Sequence, residues 1–245
     1  MAPEEHRPDR LDVMTATWLG RVDYGTAWSA QAELFSARRA GAIGDCLLLL
    51  EHPPTYTLGR RSSPSDLVYD DAARAARSIS LYEVDRGGRA TYHGPGQLVG
   101  YPIISLGERY DVIAYVRRLE EVLIRTAADL GLEARRDRPT GVWVGNDKLG
   151  AIGVKITRGI TMHGFALNVT TDLAMFAGIV PCGLNDRGVT SVEAATGRTH
   201  SVRATAGIAA HHAGVVLGRR LVWTPPDELG APSLDQAPLS SSASA

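Results

Sequence analysis

The segment that most limits the possible folds is Arg86-Gly87-Gly88-Arg89-Ala90-Thr91-Tyr92-His93-Gly94-Pro95-Gly96-Gln97, set between two strand-like runs, SLYEVD (80–85) and QLVGYPII (97–104). Four glycines and a proline in twelve residues read as a loop joining two strands. A second direct join follows, where GVWVG and KLGAIGVKIT flank an Asn146-Asp147 pair, a hairpin signal. Strands therefore adjoin by turns as often as through helices. That pattern predicts a mixed-sheet α+β domain and not a doubly wound one.

The remaining elements fit this frame. VMTATWL (13–19) suits a strand. Tyr24, Trp28, Ala32 and Phe35 recur at helical spacing before Gly41. DCLLLLE (45–51) is a short apolar run typical of a buried strand, ended by His52-Pro53-Pro54. Residues 62–78 read as loop and a short helix. The clearest helix starts at Asp111, with Val112, Val116, Leu119, Leu123, Ala127 and Leu130 on one face and Gly131 as its stop. TMHGFALNV (161–169) is a further strand. Short and longer helices are expected near 172–178 and over 201–217. Residues 1–12 and the Pro-, Ser- and Ala-rich stretch 223–245 are expected to be disordered, leaving 13–222 as a single domain.

The chain has 245 residues, 44% of them hydrophobic, enough for one sizeable core. With 26 basic and 27 acidic residues its net charge is −1, which argues against a protein that coats nucleic acid. No window approaches the ~20 consecutive apolar residues of a membrane span. The polar start, MAPEEHRPDRLD, does not read as a signal peptide, and two cysteines do not make a disulfide scaffold. A cytoplasmic protein with reduced thiols is expected.

The chain contains only two lysines, Lys148 and Lys155; every other cationic side chain is arginine. Codon bias accounts for the trend but not for both lysines falling in one short segment. Arginine stays protonated, whereas lysine can be tuned to give up its proton. In a regular strand two lysines seven residues apart face opposite sides. Cys46 sits in an apolar run and reads as a buried small hydrophobe. Cys182 stands between Pro181 and Gly183, in a turn that can expose a thiol, although spacing alone does not separate a reactive thiol from an inert one. The histidines form no zinc-type cluster with cysteine. His163 is as compatible with a satisfied core residue as with a ligand contact.

Taken together, HPPTYTLGR, RGGRATYHGPGQLVGYP, KLGAIGVK, MHGFALNV and IVPCG resemble the lipoyl(octanoyl) transferases, the octanoyl-[acyl carrier protein]:protein N-octanoyltransferases of lipoate biosynthesis. The matches fall in the family's order over about residues 52–183. The resemblance implies an α+β fold with a central mixed sheet, like the catalytic domain of biotin and lipoate ligases. It places the acyl-thioester cysteine on Cys182 and its partner lysine on Lys148. Lys155 falls on another basic position. The acyl-binding loops fall on Arg86, Gly87, Gly88, Arg89, Ala90, Thr91, Tyr92 and His93, on Ala151, Ile152 and Gly153, and on Gly164, Phe165 and Ala166.

The implied donor is octanoyl-acyl carrier protein and the implied acceptors are lipoyl domains. No cofactor, metal, nucleic acid or membrane is implied, and a monomer is expected. A free thiol has a pKa of ~8.5, so a neighbouring ammonium is needed to favour the thiolate. Backbone N–H groups near Gly183 or in 151–153 are candidates for the oxyanion site. Arg86 and Arg89 are candidates to steer an acidic carrier, whereas Arg60 and Arg61 read as solvated surface. An ATP-dependent lipoate or biotin ligase on the same fold is the alternative; it needs no nucleophilic cysteine.

Overall fold

The computed structural model describes residues 12–180 and 187–235. The first half contains β1 (Asp12–Arg21), α1 (Tyr24–Arg39), β2 (Asp45–Glu51), β3 (Thr55–Leu58), α2 (Asp71–Ala75), β4 (Ser80–Glu83), β5 (Ala90–His93) and β6 (Gln97–Ile103). Next come α3 (Val112–Asp129), β7 (Arg135–Arg136), β8 (Gly141–Val144), β9 (Asp147–Thr157) and β10 (Ile160–Asn168). The chain continues with α4 (Val192–Thr196), α5 (Val202–Leu217), β11 (Arg219–Trp223) and α6 (Pro232–Asp235).

Eight strands form one sheet in the order β11-β1-β2-β6-β10-β9-β8-β7. Its first three strands are parallel and the pairings from β2 to β7 are antiparallel, so the sheet is mixed, as expected. A smaller sheet, β4-β3-β5, stands beside it. The run DCLLLLE is continuous because both faces of β2 are covered. Leu47 and Leu49 pack into a core with α3 and α5, while Cys46, Leu48 and Leu50 pack into a second core with α1.

Asp111 caps α3 by accepting from Ile113 and Ala114 N–H. The buried stripe of α3 is Tyr115, Leu119, Val122, Leu123, Thr126 and Ala127, whereas Val112 is exposed. In α1 the buried residues are Tyr24, Ala27, Ala30, Gln31 and Leu34; Ala32 is exposed. The helix is as expected but its buried face is turned by part of a turn, because small alanines let it lie close to the sheet. The β8–β9 loop is Gly145-Asn146, with Asp147 already paired to Val144. Gly145 supplies the positive φ of 55° at the first loop position. Residues 173–178 form a 3-10 turn.

The stretch after Trp223 departs from the expected disorder over residues 224–235. Leu229, Ala231 and Leu234 are buried in the core beneath α1, and Ser233 N–H and its hydroxyl both bond to Glu33. Three apolar side chains within a polar, proline-containing stretch suffice to dock it.

Candidate active site

A cleft of about 560 Å³ opens between the small sheet, strands β9 and β10, and the first turns of α3. Arg86 holds its floor together. Only 6% exposed, its guanidinium donates to the Thr57 carbonyl (2.9 Å), the Thr57 hydroxyl (2.7 Å), and the carbonyls of Gly87 and Arg89 (3.0 Å each). The loop 86–89 is thus tied to β3. A Cβ on Gly153 would stand 2.9 Å from Arg86 Cδ and 3.1 Å from the Gly87 carbonyl oxygen, so glycine lets β9 lie directly on that loop. Arg89 is paired with the buried Asp66, holding that carboxyl below its usual range. The two arginines expected to steer a carrier are therefore engaged within the fold.

Lys148 and Lys155 do not face opposite sides of β9. Trp143 pairs with Lys148 but Val142 pairs with Gly150, so Leu149 is an extra residue in the strand. Leu149 packs into the core beneath α3, and a Cβ on Gly150 would stand 2.9 Å from Leu123. Lys148 is left on the opposite face with Ala151, Gly153 and Lys155, and it lines the cleft. Its Nζ donates to the Thr140 carbonyl at 2.9 Å and lies 5.2 Å from the centre of the Trp143 ring. Gly141 makes room for this side chain. With φ of 149°, a Cβ there would overlap Lys148 Cε and stand 2.6 Å from the Gly150 carbonyl oxygen.

Lys155 has a different partner. Its ammonium is 2.5 Å from one Asp85 oxygen, and His163 Nε2 is 2.8 Å from the other. Hydrogen bonding to His163, with the Lys155 bond and charge adding, holds the Asp85 carboxyl well below its usual range. Burial lowers the pKa of His163, against the pull of Asp85, so the ring is neutral and donates from Nε2. Nδ1 is then an unprotonated acceptor, and it has no hydrogen-bond partner among the described residues. His163 also has a left-handed φ of 56° within β10, an uncommon backbone for a non-glycine residue.

A polar relay crosses the floor. His93 Nδ1 bonds Gln97 Oε1 (2.8 Å), Gln97 Nε2 donates to Asn168 Oδ1 (2.9 Å), and Asn168 Nδ2 donates to the Thr190 carbonyl (2.9 Å). Burial pushes the His93 pKa well down. Thr190 N–H in turn donates to the Lys148 carbonyl, and Lys148 N–H to the Gly188 carbonyl, both at 3.0 Å. The chain that resumes at Arg187 is therefore pinned against Lys148. Arg187 adds bonds to Asn146 (2.9 Å) and Asp137 (2.5 Å) and lies 4.2 Å from the centre of the Trp143 ring. The chain before residue 181 is held as well, by Val180 N–H donating to the Asp66 carbonyl at 2.9 Å. Cys182 lies outside the described residues. Cys46 is the buried thiol expected: burial, with neighbouring Asp45 adding, pushes its pKa up to about 12.

Among the expected binding residues, Arg86, Gly88, Arg89, Ala90, Thr91 and His93 line the cleft, as do all six expected positions of β9 and β10. Gly87 and Tyr92 do not. Tyr92 turns to the other side of β5 and packs edge-on against Tyr56 and Phe176. The sequence reading missed Tyr24, Tyr101, Asn168, Arg117 and the 137–140 segment, and it set aside Arg61, which lines the cleft. Gln97, the polar end of the glycine-rich segment, lines the cleft as well. Tyr24 and Arg117 carried no signal beyond helical spacing.

The fold and cleft define a lipoyl-ligase-like catalytic domain. The model of the lipoyl protein ligase A/B catalytic domain matches residues 23–213, and the chain belongs to that family. The chain is 52% identical over 201 residues to an octanoyltransferase of Mycobacterium ulcerans, covering 78% of this chain and 83% of that one. It is 47% identical over 212 residues to an octanoyltransferase of Koribacter versatilis, covering 84% of each. Among solved structures, a bi-partite lipoate protein ligase of Thermoplasma acidophilum, studied with its E2 lipoyl domain, superposes with a TM-score of 0.73. It shares 17% identity and 91% coverage of both chains, a likeness of fold.

Proposed function

We propose that this chain is an acyltransferase that moves an octanoyl or lipoyl group from acyl carrier protein to a lysine of lipoyl domains. The acceptors would be lipoyl domains of 2-oxoacid dehydrogenases and glycine cleavage proteins. The acyl group would be held in transit as a thioester on Cys182, with Lys148 as its partner, and the reaction would run in the cytoplasm. The observation that carries the reading is the cleft wall around Lys148. Val189, which follows residues 181–186, bridges directly to Lys148, and Phe176, which precedes them, lines the same cleft. The naming of relatives at about half identity supports the same chemistry.

In the proposed reaction the Cys182 thiolate, paired with the Lys148 ammonium, attacks the acyl carbon of the carrier's thioester. The carrier sulfur leaves and takes a proton from Lys148, giving free carrier thiol and a neutral Lys148 amine. The neutral lysine amine of the acceptor then attacks the Cys182 thioester. Its surplus proton passes to Lys148, the C–S bond breaks, and the thiolate–ammonium pair is restored. Nothing is oxidised or reduced and no ATP is consumed, in contrast to a ligase.

The test is intact mass after incubation with octanoyl-acyl carrier protein without ATP. The expected result is one octanoyl adduct that a lipoyl domain discharges. No adduct on the parent chain, an adduct persisting in Cys182→Ala, or acylation that requires ATP would overturn the reading.

A further inference from the structure

Three of the eight large apolar side chains exposed among the described residues lie together at the start of α3: Tyr110 (37%), Val112 (46%) and Ile113 (71%). Their register explains why the fold leaves them out. The buried stripe of α3 begins at Tyr115, so the first turn projects beyond the sheet. An apolar group of this kind at a helix start marks a contact surface when something polar rims it.

Arginine supplies the rim. Arg109, Arg117, Arg118 and Arg138 are all exposed around this turn. Most acids nearby are already taken. Glu120 pairs with Arg117 and Arg136, Glu121 with Arg125 and Arg136, and Asp137 with Arg135 and Arg187. Asp111 is spent on capping the helix. Among the described residues, the side chains of Arg109, Arg118 and Arg138 have no carboxylate partner, and the negative charges left beside them are those of Glu108 and the capping Asp111. The patch presents positive charge around an apolar centre on a chain whose net charge is −1.

This patch adjoins the cleft at its Lys148 end. Ile113 and Arg117 line the cleft edge with Arg138 and Thr140. Glu120, one turn further along α3, accepts from Gly141 N–H at 3.1 Å, and Thr140 accepts from Lys148 Nζ. From Arg117 the patch runs back through Val112 to Arg109, away from the cleft. The helical part alone covers about 8 Å at ~1.5 Å per residue.

We infer that the first two turns of α3, with Arg109, Arg118 and Arg138 around Tyr110, Val112 and Ile113, form the docking surface for the acidic acyl carrier that brings the octanoyl thioester. The inference rests on the proposed acyl transfer and adds where the donor sits. Charge complementarity selects an acidic partner. The extent of the patch beyond the cleft selects the donor over the acceptor. A carrier reaches the reacting atoms on a long flexible thioester arm and can dock at a distance. A lipoyl-domain lysine has a short reach and must bring its domain directly over the cleft.

The experiment uses the full chain and an Arg109→Glu/Arg118→Glu variant, since neither residue lines the cleft. Binding of fluorescently labelled octanoyl-acyl carrier protein is followed by anisotropy at low and high salt. In parallel, acyl-enzyme formation is measured from the carrier and from a short soluble octanoyl thioester. The double charge reversal should weaken carrier binding and kcat/KM by about tenfold or more at low salt, with the gap narrowing as salt is raised. Acylation by the short thioester should stay within about twofold, as expected when steering charges and not the reacting groups change. Unchanged carrier binding overturns the inference, as does an equal loss with both donors. Loss confined to discharge onto the lipoyl domain assigns the surface to the acceptor and likewise overturns it. If the parent chain takes no acyl group from either donor, the acyl-transfer reading fails, and the binding measurement still decides whether the carrier docks here.

Discussion

Acidification should destabilise this protein well before its carboxylates begin to protonate. His52 is fully buried, with Nδ1 donating to the Val22 carbonyl (2.7 Å) and Nε2 accepting from the Tyr101 hydroxyl (2.8 Å). Both nitrogens are committed in the neutral ring, and burial lowers the pKa from 6.5 to about 4. The unfolded chain binds a proton at this site more readily than the folded one, so stability is complete above about pH 6.5 and is lost as pH falls toward 4. At ~1.4 kcal/mol per unit, the full loss is about 3 kcal/mol, with about 2 kcal/mol of it gone by pH 5. His93 and His163 shift in the same direction and steepen the fall. Asp66, Asp85 and Glu121 are depressed carboxylates, whose contributions are lost only at lower pH. Urea unfolding at half-unit steps from pH 7.5 to 5 is the assay. The parent chain should lose at least about 2 kcal/mol over that range, and His52→Gln should remove about 2 kcal/mol of the slope. A flat profile, or an unchanged slope in His52→Gln, would show that the buried rings do not resist protonation.

Lys148→Arg should lower acyl transfer by about 10²-fold or more, since arginine keeps the charge but cannot return a proton. Lys155→Arg should be mild, because its pair with Asp85 tolerates a guanidinium; equal losses in a single-turnover assay would contradict these roles. Gly141→Ala should displace Lys148 and strain β8, costing about 1–3 kcal/mol in thermal unfolding together with most of the transfer rate. Near-parental transfer would mean that the lysine does not work from the position described. Leu234→Ala should cost about 2 kcal/mol by denaturant titration, as expected for a leucine docked in the core beneath α1. No change would return residues 224–235 to the expected disordered tail.

Local chemistry that acts through the backbone was legible in the sequence. The capping aspartate of α3 and the continuous leucines of β2 each have one dominant physical reading and stand where expected, whereas the glycine-rich segment is not loop throughout, since Ala90–His93 form β5 against β3. Side chains that depend on how two elements meet were not legible. Arg86 is the clearest case. As a sequence letter it is a cation beside glycines, suited to meeting an acidic partner. In the fold it is 6% exposed and spends its guanidinium on the Thr57 side chain and on three carbonyls. Positive charge available to a partner sits instead on α3, where helical spacing revealed only a capped amphipathic element. The tail after Trp223 failed for a related reason: composition averages over a window, whereas docking needs only Leu229, Ala231 and Leu234 to find a groove.

The two lysines show how small the deciding feature can be. Strict alternation along β9 puts side chains seven residues apart on opposite faces, and no residue between Lys148 and Lys155 announces an exception. The extra residue at Leu149 reverses that parity and puts both ammonium groups on the cleft side. Their separation of role then comes from neighbours. Lys155 is tied to Asp85, whose second oxygen takes the His163 bond, so its charge is absorbed by a structural network. Lys148 lies against Trp143, Thr140 and the backbone of residues 188–190, in the wall of the cleft itself. Removing Leu149 would restore regular alternation with the two lysines six residues apart, an even spacing that keeps Lys148 beside core-facing Gly150 and on the cleft side. Acyl transfer by that shortened strand should therefore survive, and inserting one residue back between Lys148 and Gly150 without the bulge would point Lys148 at the core beneath α3. Loss of transfer in the Leu149 deletion, with the Asp85–Lys155 pair intact, would refute the view that the parity of β9 is what places Lys148 in the cleft.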